Sequence, residues 1–428
     1  MDQGQLLLLV TLVTVLLFAL GSPVLLVMAS WVLAAHVIYG FPLQNIGGSL
    51  FEGLNSFALL AAPLFILTGD LIAGGGIARR MTDFSVAVMG WIHGGLGKAA
   101  ILTCAMFAAI SGSNSATTAT IGSVTYPHMR EQRYPEGFAA ATAAAGGCVG
   151  IIIPPSILFI IYGYITGTPV SELFLAGIIP GILMTLGMLV ACYLISRRRR
   201  LGDIKRFDPM LVARRTPGVS IALFAAVIVL WGIYSGAFSP TEAAAVTVIY
   251  CLFAGLFLTR ELSIRQLPAV IFRSGMIVGL IMPLVAISLL MQQIFAIIGI
   301  GQMISELIAG LGGYYMVMFA CMGLVLLSGT LLESVPNTVI MAPILAPVAI
   351  AAGLDPFHFA VVFMVGGAIG FITPPFGLNL YVASGVTGVS YTRVAISVLP
   401  YLAALLLVWL VVALLPQLSI YLTQFAGR

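Results

Sequence analysis

The feature that most restricts this chain is a series of uninterrupted apolar runs about 20 residues long, at 5–20, 23–39, 57–77, 172–196, 217–235, 241–258 and 274–298. A run of that length matches one helix across the roughly 30 Å of bilayer hydrocarbon. A membrane β-barrel would instead show apolar and polar residues alternating with a period of two. Composition agrees: 61% of the residues are hydrophobic and 7% are charged, against roughly 25% charged in a soluble domain. Such a chain cannot face water over most of its surface. Cytoplasmic enzymes, disordered chains and secreted disulfide scaffolds are excluded, and an all-α integral membrane protein is expected. The first run has only Asp2 as a charged neighbour, so it reads as a membrane span rather than a cleaved signal.

The net charge of +4 is concentrated. Arg197, Arg198, Arg199, Arg200, Lys205, Arg206, Arg214 and Arg215 share one loop whose only acids are Asp203 and Asp208. Positive residues gather on the cytoplasmic side of membrane proteins, so residues 197–215 read as a cytoplasmic linker and not as a nucleic-acid site. Counting spans outward from that loop puts Arg79, Arg80, Arg130, Arg133, Arg260, Arg265 and Arg273 on the same side and both termini on the other. The five cysteines are far apart in apolar sequence, which suits packing rather than disulfides or metal. The four histidines show no ligand spacing, and no transition metal is expected.

Two segments do not fit as simple spans. Residues 98–130 start and end with a basic residue, and their middle reads AAISGSNSATTATIGS. Residues 316–350 carry LLSGTLLESVPNTVIMAP. Each reads as a re-entrant hairpin, because irregular backbone at membrane depth survives only when buried in protein or facing a water-filled cavity. The two halves then repeat. Cys104 and Cys321 each precede a Ser-Gly pair by seven residues. Those pairs precede Pro154-Pro155 by 43 residues and Pro374-Pro375 by 46, and Pro180 and Pro400 each follow by 26. This ordering predicts an inverted repeat of about five spans plus one hairpin per half. Residues 1–196 form the first, with hairpin 98–130 and broken helix 135–166. Residues 216–428 form the second, with hairpin 316–350 and broken helix 356–387. The polar stretches 45–57, 84–97 and 301–315 read as interfacial helices.

Each Pro-Pro pair sits inside a long apolar segment, where it removes backbone donors and breaks the helix. The freed carbonyls need partners, and a dehydrated cation is a natural one. One pair alone could be a kink; two pairs, each matched to a polar hairpin, point to ion and substrate sites. Helix N-termini after the breaks favour an anion. Glu333, just past the second hairpin tip, reads either as a functional acid or as a hydrogen-bond acceptor within the hairpin. Asp70 is expected to pair with Arg79 or Arg80. Asn114, Ser156, Glu333, Asn337 and Asn379 are the polar groups expected near a solute. No Lys or Arg lies in a hairpin tip or proline break, so the anion is expected to meet N–H groups and co-bound cations instead of a side-chain cation. An intramembrane enzyme would need an acid pair, a Ser/Lys dyad or a metal cluster near the midplane; none is found. A channel would explain polar hairpins but hardly two symmetric breaks.

The ordered set SGSNSATTATIG, IIIPPS, ELFLAGIIPG, LLESVPNTVIMAPILAPV, GLDPFHFA and ITPPFGLNLYVASG resembles the large membrane subunit of the tripartite ATP-independent periplasmic (TRAP) transporters, the DctM-like family, over essentially the whole chain. The resemblance implies a sodium-driven elevator transporter of the bacterial inner membrane. In it a domain holding both hairpins slides against a scaffold. It implies a small four-helix membrane subunit as a separate partner and a periplasmic binding protein that delivers an organic acid. It also implies sodium, as coupling ion and not cofactor, between each hairpin tip and its proline break. Those positions are Ser111, Gly112, Ser113 and Asn114 with Ile153 and Pro154, and Ser328, Gly329 and Thr330 with Thr373 and Pro374. Where the family usually carries Asp, this chain has Glu333.

Overall fold

The computed structural model describes residues 2–73, 77–202, 206–299 and 313–425. Asp203 and Lys205 of the basic loop, and residues 301–312 of the third polar stretch with Glu306, lie outside the described residues. The described chain is helical throughout. Among the described residues seven helices are long and apolar enough to cross a membrane, and an eighth span arises if Asn45–Leu54 and Ala58–Ala73, bent by 62° at their junction, count as one. The long helices are apolar on every side, as lipid-embedded helices must be, and their ends are set by polar caps. Asp2 forms a capping box with Gln5, Ser239 forms one with Glu242, and Asp355 accepts the Phe357 and His358 N–H groups at 2.9 Å. Glu242 and Asp355, which by position alone are span-end acids in water, therefore hold helix termini together.

Each half contains the same run of elements. In the first, hairpin arms Gly95–Ser111 and Asn114–Glu131 precede half-helices Glu136–Gly147 and Ile157–Thr166 and then the long helix Val170–Arg199. In the second, arms Tyr314–Leu331 and Ser334–Ala351 precede half-helices Pro356–Gly370 and Leu378–Thr387 and then Tyr391–Leu414. Both Pro-Pro bonds are cis. The halves pack by exchange. The second arm of the first hairpin lies on Leu378–Thr387, and the second arm of the second hairpin lies on Ile157–Thr166. Likewise Val170–Arg199 packs on Pro356–Gly370, and Tyr391–Leu414 packs on Glu136–Gly147. These contacts are reciprocal: each half lends its hairpin arm and its long helix to the half-helices of the other.

Ahead of the first hairpin the amphipathic helix is Ile77–Met89, with a turn at 90–94. It lies earlier than the expected 84–97, because the stripe it buries, apolar Ile77, Ala78 and Met81 followed by Ser85, begins before the Gly-rich segment. Its polar side carries Arg80, paired with Glu261 at 2.7 Å, and Asp83, paired with Arg215 at 3.0 Å. The Arg80 pairing removes one of the partners expected for Asp70.

Candidate functional site

The first hairpin turns at Gly112, in the left-handed region with φ 57°, a conformation that disfavours side chains. Ser113 then caps the second arm through its hydroxyl, which accepts the Ala116 N–H at 3.4 Å. Inside the tip the Ser111 and Thr117 hydroxyls lie 3.0 Å apart, and Thr117 donates to the Ser113 carbonyl at 2.7 Å. At the second tip Glu333 occupies the capping position that Ser113 holds in the first. Its carboxylate accepts the Val335 N–H at 3.3 Å and the Ser334 hydroxyl at 3.0 Å. The two readings of Glu333 are thus compatible: it is a cap, and it remains exposed.

Each tip is seated on its own proline break. A Cβ at Gly112 would lie 3.0 Å from the Ile157 nitrogen and 3.1 Å from the Pro155 carbonyl oxygen, and one at Gly150 would overlap the Ser113 carbonyl. In the second half Gly370 meets the backbone of Gly329 with the same closeness. Side chains there would force tip and break apart.

The carbonyls freed by the breaks find protein partners across the molecule. Asn379 Nδ2 donates to Ala144 O at 3.3 Å, and the Cys148 thiol donates to Ala368 O at 3.1 Å. All five cysteines are free and buried, but Cys148 does more than pack. Ser156 caps Ile157–Thr166 and donates to Ile151 O at 2.7 Å.

Both tips converge on a cavity of about 400 Å³. Its wall includes Ser111, Gly112, Ser113 and Ser115 from the first hairpin and Glu333 and Ser334 from the second, with Ile151 and Ile157 from the first break. Asn114, Ser156, Asn337 and Asn379 are buried and are not part of this wall. Asn114 is 2% exposed, and neither polar atom of its side chain has a partner among the described residues. Ile153 and Pro154 sit at the first break, while Ser328, Gly329 and Thr330 face the second, where Thr373 and Pro374 are half-buried. The hydroxyls of Ser328, Thr330 and Thr373 donate to carbonyls of their own helices, Val325, Leu327 and Ile369 respectively, which leaves their oxygen lone pairs open.

Two cavity residues correct the expectations. Asp70, in Ala61–Ala73, pairs with neither Arg79 nor Arg80. Its Oδ2 accepts the Ser274 hydroxyl at 2.8 Å, and its Oδ1 lies 3.5 Å from Arg273 Nε. Arg273, in Leu267–Ile297, is on the cavity wall, so a side-chain cation does face the space between the tips. Spacing could not reveal a pair 203 residues apart; a buried acid in an apolar helix, which requires a partner, was the available signal. The wall carries two carboxylates, Asp70 and Glu333, against one guanidinium.

A family model described as "Tripartite ATP-independent periplasmic transporter, DctM component" matches residues 7–418. The chain is 37% identical over 385 residues to the C4-dicarboxylate TRAP transporter large permease protein DctM of Pseudomonas aeruginosa, covering 90% of each. It is 33% identical over 373 residues to the sialic acid TRAP transporter large permease protein SiaM of Vibrio cholerae, covering 87% of each. The crystal structure of the Alcanivorax borkumensis YdaH transporter shares the fold, with a TM-score of 0.62 at 15% identity over 86% of this chain and 87% of that one. Helices, hairpins, breaks and relatives agree that this is a multi-pass membrane transport protein of the DctM family, the large permease component of TRAP transporters.

Proposed function

We propose that the chain is the carrier of a sodium-coupled importer of small organic acids, working with a small membrane subunit and receiving its solute from a periplasmic binding protein. The observation that carries this reading is the charge of the cavity between the hairpin tips, two carboxylates to one guanidinium. An anion entering alone meets net repulsion, whereas an anion accompanied by cations does not. The tips supply what a hard cation takes, neutral and carboxylate oxygens. Asn114, buried beside the first tip and without a side-chain hydrogen-bond partner among the described residues, supports the same task. Sodium would lie between Ser111–Asn114 backbone and side-chain oxygens and the Ile153-Pro154 segment, and between residues 328–330 and Thr373-Pro374. The substrate would occupy the cavity beside them. C4-dicarboxylates and sialic acid, named for relatives, fit such a site in charge class. Residues 1–196 and 216–428 are taken as inverted repeats joined by a cytoplasmic 197–215 linker, with both termini periplasmic and the hairpin-bearing elements moving as an elevator.

The test is uptake of labelled succinate and of sialic acid into proteoliposomes holding the full chain, its small subunit and its binding protein. Replacing sodium by choline at equal ionic strength should raise the half-saturating substrate concentration by about 5- to 150-fold, the usual range for coupled sites. Equal uptake in both salts would reject sodium coupling.

A further inference from the structure

We infer that Arg273 is the residue that selects an acid over a neutral solute, by receiving a carboxylate end-on while Asp70 holds the guanidinium in place. This rests on the transport reading above and adds to it the group that recognises charge.

Among the described residues Arg273 is the arginine on the cavity wall, and its geometry differs from that of the other ion-paired arginines. Arg80, Arg130, Arg215 and Arg393 are in ion pairs at 2.7–3.0 Å with acids outside the cavity. Arg273 approaches Asp70 only to 3.5 Å, through Nε. Among the described residues no hydrogen bond is made by its Nη1 or Nη2. Guanidinium carries five N–H donors in a planar fork, and Asp70 engages the side of that fork and leaves its end open. The asymmetry of burial is consistent: the Asp70 side chain is 11% exposed and the Arg273 side chain 70%. Asp70 is itself fixed, because Ser274, the next residue along the same helix as Arg273, donates to its other oxygen at 2.8 Å. The guanidinium is therefore flanked by Asp70 on its Nε side, and Arg273 lines the same cavity as Ser111, Ser113 and Glu333.

A carboxylate matches an open guanidinium fork with two parallel charge-assisted hydrogen bonds. An amide of the same shape cannot, since its nitrogen is a donor. The rest of the wall is apolar or hydroxylic apart from Glu333, which faces any second anionic group with like charge. The ligand class is therefore an acid with one carboxylate at Arg273 and an uncharged or cation-paired remainder toward Glu333. Arg273 touches substrate, whereas Asp70 is a positioning residue.

The experiment is a cycle of protein and ligand changes in the same proteoliposomes. Succinate and its half-amide, succinamate, and sialic acid and its carboxamide, compete for uptake by wild type, Arg273→Gln, Arg273→Lys and Asp70→Asn. In wild type the acid should outcompete the corresponding amide about 10- to 100-fold. Arg273→Gln should remove that preference by weakening the acid and leaving the amide unchanged. Arg273→Lys, which keeps charge but loses the fork, should retain part of it. Asp70→Asn should cost the acid only a few-fold, with maximal uptake rate altered less than half-saturation. Retained preference in Arg273→Gln, or equal losses for acid and amide, would overturn the assignment while the transport reading stands. A wild type that takes up neither acid would remove the transport reading and this assignment together.

Discussion

At the first proline break, Pro154, Pro155 and Ser156 are buried, and the chain restarts its helix under a hydroxyl cap. At the second, Pro375 and Phe376 are exposed, Phe376 at 53%, and the helix restarts at Gly377 with no side-chain cap. There the brace comes from outside the break: the Tyr391 hydroxyl donates to the Pro375 carbonyl at 2.6 Å, and its ring stacks on Tyr381 with centroids 4.4 Å apart. One motif, used twice, thus produces a closed seat and an open one. A repeated sequence specifies the same backbone event; the surroundings decide how much water reaches it. In an ion site that difference matters, because water can replace a lost oxygen ligand in the open seat and not in the closed one.

The largest effect should test what the two seats share. Gly150→Ala and Gly370→Ala each place a Cβ against backbone of the facing tip, where no side chain can move aside. Overpacking of this kind costs about 1–3 kcal/mol, and uptake should fall about tenfold or more in both variants with the protein still inserted. If only one variant is affected, the seats are not equivalent in function. A smaller effect should separate them. Ser113→Ala should raise the sodium needed for half-maximal uptake by roughly tenfold and Thr330→Ala by about threefold, since a ligand to a charge is worth about 1.5–3 kcal/mol when water cannot substitute for it. Equal shifts, or the reverse order, would break the comparison. The smallest effect concerns stability. Ser156→Ala removes a buried cap and should lower unfolding free energy by about 1 kcal/mol, while Tyr391→Phe, at an exposed bond, should cost about 0.5 kcal/mol. Denaturation in detergent, followed by tryptophan fluorescence, measures both.

Much of this arrangement is legible in the amino-acid order because prolines, glycines and polar tips have strong local consequences. Gly112 and the Pro-Pro pairs interrupt helices wherever they fall, so hairpins and breaks announce themselves. What stays hidden depends on which side chains meet across the fold. Arg273 near a span end reads as one more cytoplasmic charge, and only the packing of Leu267–Ile297 on Ala61–Ala73 turns it toward Asp70. Asn379 and Ser156 look like solute ligands because polar groups beside a break are rare. Their spacing does not show that the Asn379 amide nitrogen and the Ser156 hydroxyl each donate to a backbone carbonyl. Glu333 is the intermediate case. Its position just before Ser334-Val335-Pro336 is that of a helix cap, while its exposure toward the other hairpin is a property of three dimensions.

The bonds from Asn379 to Ala144 and from Cys148 to Ala368 mean that neither half of the chain is complete alone. Cut within residues 197–215, the protein would yield two fragments, each lacking a side-chain donor that the other supplies beside its break, Asn379 to Ala144 O and Cys148 to Ala368 O, and a lost hydrogen bond to a buried acceptor costs about 1–3 kcal/mol. The fragments should therefore assemble when made together and be degraded when made apart. Mutual completion of this sort is what binds the subunits of an isologous dimer. In its reciprocal bonds the molecule resembles such a dimer written on one chain, with the segment that joins Val170–Arg199 to Pro209–Tyr234 as its tether.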